Sequence, residues 1–179
     1  VSIWAIYNGS TVALIATANG SNFPTLPSGY THVALLTIVM FTTSFVDVRI
    51  VGKTVYCAGV ATSALTSTSA AFVNLITFAS TVVPTMASAI LGDVALSGTS
   101  TGGGLLDMVF TLSSGSSTNP VPAHQFRLFQ SGINSVSQAL RAPFRLALWS
   151  LGFTYAITVT QGSSQSATVT VRGYEVLNG

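Results

Sequence analysis

Charged residues are scarce in this sequence. Only 6% of its 179 residues are charged, six basic and four acidic, where an ordinary soluble domain has about 25%. Disordered chains need high charge and low apolar content, whereas 49% of these residues are hydrophobic. The chain therefore folds. With so few charges to keep it soluble, we expect neighbouring molecules to cover much of its surface.

The few basic residues stand far apart along the chain. They are Arg49, Lys53, Arg127, Arg141, Arg145 and Arg172. Nucleic-acid binding requires a concentrated basic surface that displaces counterions from the phosphates, and this scattered spacing predicts none. We therefore expect no nucleic-acid partner, and we interpret the net charge of +2 as a result of the scarcity of charge.

Long apolar runs and cysteine pairs are also missing. The longest run, residues 33–41, is about half of the roughly 20 residues that a membrane-spanning helix needs. The run at residues 82–96 is interrupted by Pro84, Gly92 and Asp93. The sequence thus predicts no membrane insertion. The single cysteine, Cys57, excludes an internal disulfide and a multi-cysteine zinc site.

Catalytic motifs are absent as well. The sequence has no Gly-x-Ser-x-Gly elbow and no His-Glu-x-x-His, and residues 102–104 lack the Lys and Ser/Thr of a phosphate-binding loop. Nothing in the pattern pairs the four acids for glycoside hydrolysis; these are Asp47, Asp93, Asp107 and Glu175. We expect no catalytic residue, no metal and no cofactor, and a protein that is not an enzyme.

What the sequence does have is a succession of short apolar runs separated by turn residues. The pair Asn8-Gly9 between residues 3–7 and 11–17 is a strong hairpin signal. Residues 45–51 alternate between apolar and polar as a half-buried strand does, with Ile50 among the apolar side chains. A turn joins them to residues 54–57. Further strands are predicted at residues 71–79, 88–96, 105–112, 125–130, 143–150, 154–160 and 167–176.

The last strand divides cleanly into two faces. Thr168, Thr170, Arg172 and Tyr174 alternate with the apolar side chains of Ala167, Val169 and Val171. Only residues 133–140 look helix-like. About ten short strands at turn spacing predict a single all-β domain over residues 1–179, a β-sandwich of jelly-roll type with very little helix.

Aromatic residues are expected in two roles. Those on strands pack in the core or at a subunit contact. The loop residues Phe23 and Tyr30 are better candidates for ligand contact, and Tyr30 is also expected to anchor its loop. The apolar positions 144, 146, 148, 155, 157 and 159 are expected to be shared between core and subunit contact.

Four segments resemble a domain common in bacteriophage fibre proteins. They are Ile6-Tyr7-Asn8 with the strand after it, Thr25-Leu26-Pro27-Ser28-Gly29-Tyr30-Thr31-His32, Gly52-Lys53-Thr54-Val55-Tyr56, and Val169-Thr170-Val171-Arg172-Gly173-Tyr174. The likeness covers the N-terminal third and about the last ten residues. It departs at residues 40–45, where the family has a charged hairpin. The apolar Met40, Phe41 and Phe45 are therefore candidate contacts with another virion subunit.

This resemblance implies a non-enzymatic structural protein of the virion that forms a homotrimer. Two functions stay open. One is a tail-fibre or receptor-binding module that reaches a host-surface glycan or protein. The other is a capsid decoration (cement) protein that bridges capsomers and stabilises the head. The expected partners are further copies of the chain and other capsid or tail proteins.

Overall fold

The computed structural model of this chain describes residues 1–18, 23–39, 48–62, 65, 74–77, 83–116, 119–132, 135–148 and 152–176. Its strands are β1 (Ser2–Tyr7), β2 (Val12–Thr17), β3 (His32–Ile38), β4 (Val48–Val51), β5 (Thr54–Ala61), β6 (Asn74–Thr77), β7 (Ala87–Thr99), β8 (Leu106–Ser116), β9 (Asn119–Gln130), β10 (Ser137–Ala147), β11 (Gly152–Gln161) and β12 (Ser163–Val176). Within these ranges a 3-10 turn at Gly102–Gly104 is the one helical element. The predicted all-β class is confirmed.

Both predicted hairpins form. In the first, the Asn8 Oδ1 accepts hydrogen bonds from the Ser10 and Thr11 amides at 3.0 and 2.7 Å. Gly9 adopts a φ of +99° in this turn, a conformation that glycine reaches without steric strain. The second hairpin joins β4 to β5 through residues 52 and 53, where the sequence predicts a turn.

The strands form three antiparallel sheets. Their orders are β2-β1-β3, β10-β7-β12-β5-β4 and β6-β11-β8-β9. The five-stranded and four-stranded sheets contribute every second side chain to one apolar cluster, as the period of a strand requires. Its largest fully buried members include Tyr174, Phe110, Phe153, Ile90, Leu96 and Met108. These two sheets are the predicted β-sandwich.

The small N-terminal sheet joins the sandwich at the end of β3. Ile38 is fully buried in the sandwich core, and its carbonyl oxygen accepts a hydrogen bond of 2.9 Å from the Tyr174 hydroxyl. Beyond it, Val39 exchanges two backbone hydrogen bonds of 2.9 and 2.8 Å with Val1. The sheet is thus anchored by buried groups. The single-domain organisation of residues 1–179 stays a prediction.

Two predictions about individual segments are wrong. The helix-like stretch at residues 133–140 is strand in most of its described part, because β10 begins at Ser137 and pairs with β7. Tyr174, predicted to share the face of Arg172, is 0% exposed. The register shifts between Val171 and Gly173, and this bulge reverses the alternation so that Tyr174 turns into the core.

Two expectations about apolar faces also need correction. Ile50 is 46% exposed rather than covered, because β4 is the edge strand of its sheet. The side chains expected to be shared between core and subunit contact are 5% exposed or less in four cases: Phe144, Leu146, Tyr155 and Ile157. These four residues belong to the core of a single chain, so a subunit contact must use other residues.

Candidate binding surfaces

Two of the five predicted contact residues are among the described residues. Phe23 is 72% exposed, and its ring centroid lies 6.0 Å from that of Trp4. The Tyr30 amide donates a hydrogen bond of 3.1 Å to the Pro27 carbonyl, closing a turn in which Gly29 has the positive φ (+89°) of a type II turn. Ligand contact by Phe23 and Tyr30 stays a prediction. Met40, Phe41 and Phe45 lie outside the described residues.

Most of the basic residues lie on one surface of the fold, although they are far apart in the sequence. Five of the six lie on the outer face of the five-stranded sheet or in its β4–β5 turn: Arg49, Lys53, Arg141, Arg145 and Arg172. Two acids, Asp93 and Glu175, share this surface, which we call the basic face. The expectation of no basic cluster is therefore wrong, because antiparallel pairing brings together residues that are distant in sequence.

Asp93 holds two arginines at the centre of the basic face. The Arg141 Nη2 donates to the Asp93 Oδ2 at 2.9 Å, and the Arg172 Nε donates to the same oxygen. The hydrogen bond from Arg172, and then that from Arg141, hold the pKa of Asp93 below its ordinary value. The carboxylate stays ionised, while the Arg141 and Arg172 side chains remain 61% and 46% exposed.

A second ion pair lies at one end of the same face. Arg145 binds Glu175 through two parallel hydrogen bonds, Nε to Oε1 at 2.9 Å and Nη2 to Oε2 at 2.6 Å. The Lys53 ammonium is 3.7 Å from Oε2. The Glu175 side chain is only 7% exposed, and the hydrogen bond from Arg145 lowers its pKa despite that burial. This bidentate geometry fixes the Arg145 guanidinium.

One row of residues crosses the whole basic face. From β10 to β4 the register places Arg145, Leu91, Gly173, Tyr56 and Arg49 opposite one another in turn. Tyr56 is 42% exposed, and Arg49 is exposed with no ion-pair partner in the part of the chain that the structure describes. At about 4.8 Å per strand the row is about 19 Å long. An elongated ligand would fit along it.

The titratable groups favour binding over proton transfer. A catalytic acid needs a carboxyl pKa raised toward neutrality, but the pKa values of Asp93, Asp107 and Glu175 are all lowered, each chiefly by an arginine hydrogen bond. Burial raises the pKa of the Cys57 thiol, which favours its protonated form at neutral pH. Among the described residues no group of three His, Cys, Asp or Glu side chains could hold a metal ion.

A second surface is the outer side of the N-terminal sheet. Trp4 and Ile6 face inward at 6% and 3% exposed, so the residues between them face outward. We call this outer side the apolar face; its side chains are Ile3, Ala5, Tyr7, Val12, Leu14, Ala16, Ala34 and Leu36, with His32 beside Tyr7 at one end. Val12 and Leu14 are 66% and 67% exposed, and β1, β2 and β3 contain no Asp, Glu, Lys or Arg. Such a patch is typical of an interaction surface.

Sequence reasoning missed the basic face, although part of the signal was present. Arg141 and Arg145 alternate with Leu140, Ala142 and Phe144, the period of a strand with one outward face. The partners Asp93, Arg172 and Glu175 lie on other strands, and no local pattern connects them.

No family model matches the sequence, and no curated protein is significantly similar to it. In the described ranges no helix has the length and apolar character needed to span a membrane.

Proposed function

We propose that this chain is a non-enzymatic structural protein of a bacteriophage virion, a tail-fibre or receptor-binding module that acts as a homotrimer. One observation carries the proposal: the four segments that resemble the fibre domain meet in the fold. Tyr7 of the first segment pairs with His32 of the second, and the Thr31 amide donates to the Tyr7 carbonyl at 3.1 Å. Tyr174 of the fourth segment pairs with Val55 of the third.

A buried hydrogen bond connects these two pairs of segments. The Tyr174 hydroxyl donates to the Ile38 carbonyl, and Ile38 ends the strand that His32 begins. The four segments thus lie next to one another in the fold. Their joint placement supports a likeness of architecture, and the proposed function rests on that likeness.

The apolar face supports the proposal that the chain assembles. Monomeric proteins seldom expose contiguous apolar patches larger than a few hundred Å². Because Val12 and Leu14 project from a charge-free sheet, a second copy can cover them without desolvating any ion. Closed rings of identical subunits bury such surfaces efficiently. The number of three subunits comes from the resemblance.

We also propose that strands β5 to β12 form a jelly roll. Along the described strands, six of the seven connections from β5 to β12 cross between the two sheets, and only the β8–β9 connection stays within one. This alternation supports a sandwich wound from two Greek keys.

The alternative is a capsid decoration protein, which the apolar face supports as well, since it would also fit a capsid subunit. Quantitative mass spectrometry of purified virions separates the two functions. Hundreds of copies per particle indicate decoration, and a few dozen or fewer indicate a fibre.

Sedimentation velocity at micromolar concentration tests the homotrimer. We expect the chain to sediment as a trimer, and Leu14→Lys to reduce the trimer fraction because it places a charge on the apolar face. Val121→Lys, at a 49% exposed position on β9, is the matched control and should leave the trimer intact. A stable, well-folded monomer of the unmodified chain would contradict the proposal.

A further inference from the structure

We infer that the basic face binds an acidic polysaccharide, a hydroxyl-rich sugar chain that carries carboxylate groups at intervals. The inference deepens the proposed receptor-binding role by naming a ligand class. It stands on residues separate from the apolar face, so its test does not depend on the number of subunits.

Most of the charged residues of the chain lie on the basic face. A chain with ten charged residues places five basic and two acidic ones on a single sheet surface. The Arg141 and Arg172 side chains that pair with Asp93 are 61% and 46% exposed, and ion pairs of such exposed groups add little to stability. The excess of positive charge attracts an anionic ligand.

The arginines that bind Asp93 are held in place and keep further N–H donors for a ligand. Arg141 uses its Nη2 and Arg172 its Nε to bind Asp93, and each guanidinium has five N–H groups in a fixed plane. The remaining donors match the two oxygens of a carboxylate. Because Asp93 already orders both side chains, a ligand has less conformational entropy to remove on binding.

The acids of the basic face favour a sugar chain over a nucleic acid. Asp93 and Glu175 stand between the basic residues, and their charge opposes a closely spaced row of phosphates more than carboxylates set apart along a sugar chain. The Asp93 carboxylate, 20% exposed, can also accept hydrogen bonds from sugar hydroxyls. Next to Arg141 a shallow depression is lined by Ser97, Ser166 and Thr168, among other residues, whose hydroxyls both donate and accept.

The length and the aromatic content of the face agree with this choice. Tyr56, 42% exposed, lies beside Arg49 in the row across the sheet, and its ring offers a flat apolar surface to a sugar ring. The row is about 19 Å long, which accommodates several sugar units in extended form.

Isothermal titration calorimetry at low ionic strength tests the site. The probes are a galacturonic acid hexamer, its fully methyl-esterified neutral form, and a single-stranded oligonucleotide. We expect the hexamer to bind, the neutral ester to bind at least about tenfold more weakly, and the oligonucleotide to bind more weakly than the hexamer. Absence of hexamer binding, or equal binding of the ester, would overturn the inference.

Arginine variants locate the site. Arg141→Gln combined with Arg172→Gln should weaken hexamer binding by about tenfold or more. Arg127→Gln is the matched control, since Arg127 also pairs with an aspartate, Asp107, but on the four-stranded sheet; its effect should stay below about twofold. Equal losses in both would show a general charge effect and overturn the assignment. If the double variant does not fold by circular dichroism, Arg49→Gln with Tyr56→Ala makes the same test.

The variant Asp93→Asn tests the selectivity argument. It removes the carboxylate that repels phosphates, so oligonucleotide binding should strengthen severalfold relative to hexamer binding. A purely structural Asp93 would leave this ratio unchanged, and that outcome would contradict the role given to the interleaved acids. An oligonucleotide that binds the unmodified chain more tightly than the hexamer would replace the polysaccharide by a nucleic acid.

Discussion

Gly92 and Gly173 allow neighbouring strands of the five-stranded sheet to approach closely at the bulge in β12. A Cβ built on Gly92 would overlap the Thr170 carbonyl oxygen, and one on Gly173 would lie 2.6 Å from the Val55 carbonyl oxygen. Both obstacles are backbone atoms of a neighbouring strand. The bulge that these glycines permit turns Tyr174 into the core and leaves Arg172 on the basic face.

We expect Gly92→Ala to lower the free energy of unfolding by about 3 kcal/mol, at the upper end of the range for overpacking. Gly98→Ala is the control on the same strand and face, where the new Cβ would meet side-chain atoms, the nearest being the Leu106 Cδ1 at 2.9 Å. That side-chain tip can move aside, so its cost should be smaller. Urea denaturation measures both; equal losses would refute the argument from backbone overlap.

The Tyr174 hydroxyl provides a second test at the scale of one atom. Tyr174→Phe leaves the buried Ile38 carbonyl without this donor, and we expect a loss of about 1 kcal/mol in the free energy of unfolding. Tyr56→Phe, at a 42% exposed position of the same sheet, should change it by less than about 0.5 kcal/mol. Chemical denaturation monitored by fluorescence compares them, and indistinguishable midpoints would contradict the anchoring role.

At the scale of elements, local signals were readable and non-local ones were not. The β1–β2 hairpin was predictable because Asn8 and Gly9 carry the turn chemistry in adjacent positions. The start of β10 was mistaken for helix because its identity comes from pairing with β7, 38 residues earlier where Ser137 meets Thr99. The basic face was not predicted from the sequence for the same reason, because its ion pairs join residues of separate strands.

The ion pairs between strands make stability depend on pH. The folded-state pKa values of Asp93, Asp107 and Glu175 are lowered by their arginine partners. Their contribution is therefore fully present above the unfolded carboxyl values of about 4. It is lost as the pH falls through the lower folded-state values. Stability should decline on the acid side of about pH 4.

We expect Glu175→Gln to lower the free energy of unfolding at pH 7 by about 1 kcal/mol, because it removes one charge from a bidentate pair whose arginine is partly solvated. At an acid pH below the lowered pKa of Glu175, where protonation weakens the pair in the unmodified chain, the difference should shrink. Denaturant midpoints at the two pH values measure it. A difference that does not change with pH would contradict the ionic role of Glu175.

At the scale of the whole molecule, the apolar content must be reconciled with the surfaces available to cover it. The chain has a mean hydropathy of +0.64, yet the side chains of Phe144, Leu146 and Ile157 are already buried in the sandwich core. The apolar face, with Val12 and Leu14 two-thirds exposed, is where further burial is possible.

Coupling of this burial to folding predicts an obligate trimer whose monomer is not separately stable. A partner that binds only the folded chain raises its apparent stability by mass action. The melting temperature should therefore rise measurably over a hundredfold increase in protein concentration. Leu14→Lys should lower the melting temperature and weaken its concentration dependence, whereas Val121→Lys on β9 should retain both. Differential scanning calorimetry makes the measurement. A melting temperature of the unmodified chain that does not change with concentration would contradict obligate assembly and leave the apolar face for a different partner.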